Sequence, residues 1–225
     1  MKNIIDFLIN ISTNNNRPWF MAHKEEYKQA EEEFHAFTKQ LIEGIATFDS
    51  SVKGLTVKDC TYRIYRDIRF SPDKTPYKTH TGAYICPGGK KSGNAGYYFH
   101  VEPQQNGLLG GNLLTAGLYM PEKNFLQSVR EDIMCSGDVF LDTVGKANSF
   151  TLDMEGRLKR VPTGFPPDSP YAEYLKLRDI CLVKNLSNKD LLSPNLLQNT
   201  IEAFSKTVDF NNFLNRAVQF ARENS

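Results

Sequence analysis

Apolar positions change their period twice along the chain. Ile4, Ile5, Leu8 and Ile11 repeat at helical spacing and predict a short amphipathic helix. Asn14, Asn15 and Asn16 end it, and Pro18 suits the first turn of a second helix, where a proline loses no hydrogen bond. That second helix carries Tyr27, Phe34, Phe37, Leu41, Ile45 and Phe48 on one face, with Glu31, Glu32 and Glu33 largely turned to water. From about Leu55 the pattern becomes strand-like. Residues 56–66, 84–86 and 97–101 are rich in β-branched and aromatic side chains, and residues 114–120 add a fourth candidate strand. The glycine-rich stretch 87–94 is too short for a crossover helix, so the strands it joins pair antiparallel.

Pro121 and Glu122 open a helix through Phe125, Leu126, Val129 and Ile133, and a short helix is expected over 139–144. Small strands follow at 150–152 and 157–161, then a helix over 171–177 and a strand over 180–183. Ser193 and Pro194 signal the start of a helical C-terminal region, carrying Leu197, Ile201, Phe204, Val208, Phe213, Leu214 and Val218. Helices at both ends with strands between them predict an α+β fold: a central, mainly antiparallel sheet with helices packed from the N- and C-terminal regions. No repeat or long linker interrupts the pattern, so a single domain over 1–225 is expected.

Composition narrows the function classes. With 27 basic and 26 acidic residues the net charge is +1, which weighs against a broad grip on nucleic acid and leaves a small anionic molecule as the favoured partner. Cys60, Cys86, Cys135 and Cys181 lie far apart without zinc or redox spacing. Neither a secretory signal nor a membrane-spanning run is present, so the cytoplasm is the expected compartment.

The chemistry concentrates in residues 61–80, TYRIYRDIRFSPDKTPYKTH, which holds Arg63, Arg66, Arg69, Lys74, Lys78 and His80 against only Asp67 and Asp73. Guanidinium forks and ammonium groups beside Tyr65 and Tyr77 suit a phosphate or carboxylate. On an alternating strand Arg63 and Arg66 point to opposite faces, so one reaches a ligand while the other braces the fold. The architectural alternative makes the whole segment a charged clasp between sheet and helices. A third reading is a non-catalytic module that binds nucleic acid or a protein through the same basic, tyrosine-rich surface.

Alternation in 97–102 puts Tyr97, Phe99 and Val101 toward the core and Tyr98, His100 and Glu102 on the other face. His100 and Glu102 are therefore the candidate acid/base pair beside the basic segment. The histidines lack metal-ligand spacing, so neither metal nor cofactor is expected. The stretch 88–93, GGKKSG, superficially resembles a phosphate-binding loop but fails its pattern and reads as a hairpin turn. The glycines of 107–112 could form an anion nest, and Arg160, with Lys159, could enlarge the positive site. No nucleophile elbow is present.

Several stretches carry a family resemblance: Asn14-Asn15-Asn16-Arg17-Pro18-Trp19-Phe20 with His23-Lys24, residues 63–80, and residues 96–103. Gly110-Gly111 ahead of residues 117–121, and Lys159-Arg160 with Pro162 and Gly164-Phe165, complete the set. On these motifs the chain resembles the bacterial and fungal family catalogued as domain of unknown function 2461. It departs at Pro18, where an acidic or small polar residue is more usual. The resemblance implies no activity, substrate or cofactor.

Overall fold

A computed structural model describes residues 1–104 and 108–224. Helix α1 (Lys2–Thr13) buries Ile4, Ile5, Phe7, Leu8 and Ile11. The single helix expected next is two. In α2 (Arg17–Ala22) the Asn16 side chain caps the Trp19 amide at 3.0 Å, with Pro18 in the first turn. His23 then leaves helical geometry and its Nδ1 bonds the Trp19 carbonyl at 2.8 Å, before α3 (Lys24–Ile45) begins. Phe34, Leu41 and Ile45 of α3 are buried.

The strand expected over 56–66 is absent. The Asp59 carboxylate instead reaches back to the Thr56 amide at 2.8 Å, a capping box that nucleates the short helix α4 (Val57–Cys60). A local cap here overrides β-branched composition. Residues 61–66 continue extended but pair with the chain only at isolated bridges.

Five strands form the sheet: β1 (Thr81–Ile85), β2 (Gly96–Val101), β3 (Leu113–Leu118), β4 (Thr151–Leu152) and β5 (Ile180–Asn185). Their order is β1-β2-β3-β5-β4, and every neighbouring pair is antiparallel, so the fold is α+β. Gly88, Gly89 and Gly93 take positive φ in the β1–β2 hairpin, as its sequence requires. Between β3 and β4 runs α5 (Lys123–Lys146), a single span with a kink at Ser136, covering the two helices predicted there. No strand forms at 157–161; Leu158 makes one backbone bond, to Lys176 at 2.9 Å. After α6 (Ala172–Leu175) and β5 comes α7 (Asn188–Leu191), unpredicted and closed by a Ser187–Asp190 capping box. Helices α8 (Leu196–Ser205) and α9 (Val208–Glu223) finish the chain, α8 starting after the Ser193-Pro194 signal.

Tyr97 and Phe99 of β2 turn into the core, where Phe99 meets Phe37 at 4.8 Å and Tyr97 meets Phe204 at 5.4 Å between ring centres. The opposite face carries Tyr84, Tyr98 and Thr115, all half-buried. Among the described residues, no helix is long and apolar enough to cross a membrane.

Candidate functional site

Residues 61–81 fold back on themselves along the open edge of β1. Thr61 bridges Ala83, and Tyr65 bridges Tyr77. Lys78 N donates to Ile64 O at 2.8 Å and Arg66 N to Pro76 O at 3.0 Å, so the two arms make a narrow ribbon. It shields an edge that would otherwise offer unpaired backbone groups. The N-terminal motif docks this ribbon. Asn15 donates to Tyr77 O at 2.8 Å and accepts from Tyr77 N at 3.0 Å, acting as a short stand-in for a strand. Phe20 stacks on the Tyr77 ring with centres 4.1 Å apart.

The ribbon sorts the basic residues into two groups. Arg66 donates to Asp73, to the Thr75 hydroxyl and to Thr75 O, the last at 3.1 Å. Arg69 pairs with Asp67 at 2.6 Å, and Lys74 donates to Ile68 O at 3.0 Å. All three close the 66–75 loop. Asp73 takes part in this closure: the Thr75 amide and Arg66 hold its carboxyl down to about 2. Arg63 and Lys78 belong to the other group. They line a cavity of about 30 Å³ with Tyr62, His80, Gly82 and Tyr98, room for a water or two. Lys78 is half-buried, and burial and then the nearby Arg63 lower its pKa. Among the described residues neither cation makes a salt bridge. Tyr65 is half exposed, whereas Tyr77 is 4% exposed and belongs to the core. Arg160 and Lys159 are exposed, and no bond joins them to the ribbon among the described residues.

Behind the cavity lies a buried polar chain. Register sets Gly82 opposite His100, and a Cβ at Gly82 would collide with the Tyr98 hydroxyl, so the glycine makes room for it. Tyr98 Oη lies 2.8 Å from His100 Nδ1, and His100 Nε2 lies 3.4 Å from Glu102 Oε2. Glu102 accepts from the amides of Leu108 at 2.6 Å and Leu109 at 2.8 Å. Burial opposes its ionisation, but these amides and His100 outweigh it, and its pKa falls. An anion nest thus forms in the predicted 107–112 stretch, and the anion it holds is the protein's own carboxylate; Gly107 itself lies outside the described residues.

His80 Nδ1 faces the other oxygen of Glu102 at 3.7 Å, too long for a hydrogen bond, with its ring 5.2 Å from that of His100. Burial and then His100 push the His80 pKa down to about 4, against the pull of Glu102. His100 is likewise lowered, first by burial. Both rings are neutral at pH 7. His100 has no exposed surface and both its nitrogens are engaged, while His80 is 18% exposed and lines the cavity. The predicted acid/base pair therefore stands one layer behind the pocket, and His80 in front of it.

Tyr98, Tyr62 and Gly82 were not among the residues singled out from sequence. Alternation did put Tyr98 on the His100 face; the signal lay in that shared face. Among the described residues no three His, Cys, Asp or Glu side chains are grouped to hold a metal ion.

A family model described as a conserved hypothetical protein, DUF2461, matches residues 3–213 of the 225. No curated protein and no solved structure matches the chain.

Proposed function

The chain belongs to the DUF2461 family of conserved hypothetical proteins, a membership that assigns no chemistry, and we propose from the pocket alone that it binds a small anionic molecule through one phosphate or carboxylate group. The observation that carries this is the pair Arg63 and Lys78. Two cations share one small cavity, close enough for one to depress the other's pKa, with no protein carboxylate bonded to either among the described residues. Lys78 is half-buried with no salt-bridge partner among the described residues and Arg63 stands exposed beside it, so a bound oxyanion gives Lys78 the counter-ion that its burial calls for. The cavity holds a water or two, so one or two oxygens of the anionic group enter and the rest of the ligand stays outside.

His80 is the group that exchanges a proton with such a ligand. It is 18% exposed and lines the same cavity as the two cations. Calorimetry with inorganic phosphate and with acetate tests the reading. Arg63→Ala and Lys78→Ala should each weaken binding at least tenfold, while Arg69→Ala, which touches only the loop, should not. Absence of binding by any of these anions at millimolar concentration would refute it.

A further inference from the structure

The buried chain behind the pocket dictates which way its hydroxyl points. Glu102 accepts from two backbone amides and, as a carboxylate, has only lone pairs to offer His100. The His100 proton accordingly sits on Nε2, toward Glu102 Oε2 at 3.4 Å. Nδ1 is then a bare acceptor, and the ring has no exposed surface through which another donor could reach it. Tyr98 must supply that donor, across 2.8 Å. Its one proton is committed inward, so toward the cavity Tyr98 presents lone pairs only. Gly82 holds this geometry open, since a side chain there would displace the hydroxyl.

We propose that the pocket selects an oxyanion that carries its own O–H: a hydrogen phosphate or phosphomonoester monoanion, or a hydroxy acid. The inference rests on the anion-pocket reading and sharpens it. Arg63 and Lys78 satisfy the charged oxygens, and the ligand's O–H donates to Tyr98. An anion without a proton, such as sulfate, brings an oxygen against the Tyr98 lone pairs. Turning the Tyr98 proton outward instead strands the buried His100 nitrogen. Sites built around such a hydrogen bond reject the analogue lacking it. Tyr98 is the specificity-determining residue, and His100 and Glu102 are positioning residues that act through it.

Calorimetry at pH 7 and matched ionic strength compares phosphate with sulfate and lactate with propionate. Phosphate should exceed sulfate at least tenfold if the ligand is a phosphate, and lactate should exceed propionate if it is a hydroxy acid; the pair that discriminates names the source. Tyr98→Phe should weaken the O–H-bearing anion and relieve the lone-pair repulsion on its partner, bringing the ratio near one. Melting curves verify that the variant is folded, and the wild-type ratio stands by itself if it is not. Equal affinities within both pairs, or selectivity retained in Tyr98→Phe, overturn the proposal while the anion pocket survives. If none of the four anions binds, the pocket reading fails and this one with it.

Discussion

Replacing His80 by glutamine should flatten the acid limb of the protein's stability curve by a predictable amount. The His80 ring is held neutral from its ordinary 6.5 down to about 4, because burial and His100 outweigh the attraction of Glu102. Between those values the unfolded chain binds a proton that the folded chain refuses, so stability rises with pH across the window and is lost on acidification. At about 1.4 kcal/mol per tenfold, the loss from this residue alone is about 2 kcal/mol by pH 5 and about 3 kcal/mol by pH 4, levelling off within the next pH unit. Urea unfolding of wild type and His80→Gln, each at pH 7, 6, 5 and 4, isolates the term as the difference between the two curves. Acid-sensitive groups remote from His80 cancel in that difference, and His100 and Glu102, which face it, are followed by NMR in both proteins. Parallel curves would refute the reasoning, as would an NMR titration of His80 at or above 6.5, which would mean that Glu102 governs the ring instead of burial.

Three further substitutions separate brace from pocket. Arg66→Lys loses the fork that spans Asp73 and Thr75 and should cost about 1 kcal/mol in chemical denaturation, while Arg63→Ala leaves stability unchanged; equal losses would contradict the division of the ribbon. Gly82→Ala drives a methyl into the Tyr98 hydroxyl and should cost about 1–3 kcal/mol while weakening phosphate binding; an unaffected melting point would show that Tyr98 sits elsewhere. Tyr77→Ala removes a side chain only 4% exposed and should cost about 3–5 kcal/mol, against less than about 1 for Tyr65→Ala, and thermal melts will show whether that order holds.

Periodicity along the chain carried the scaffold. The stripes at Ile4–Ile11 spacing and in Phe34, Leu41 and Ile45, and the alternation of Tyr97, Phe99 and Val101, all reflect burial of one face, which repeats with the element and is readable locally. Where local reading failed, a short-range hydrogen bond had overridden composition: the Thr56–Asp59 box turned an expected strand into α4, and His23 split one helix into two. Concentration of basic residues in 61–80 was equally legible, because charge is written in the residue types. Which cation does what was not. Arg66 faces the loop because Asp73 and Thr75 fold under it, and Arg63 meets Lys78 because the two arms of the ribbon pair with each other. The sequence by itself thus determined most of the elements, the core face of β2 and the location of the chemistry. Only tertiary structure decided that His100 lies behind Tyr98, that His80 stands in front, and that Gly82 leaves room for a hydroxyl, since these are distances between strands that no one-dimensional period encodes.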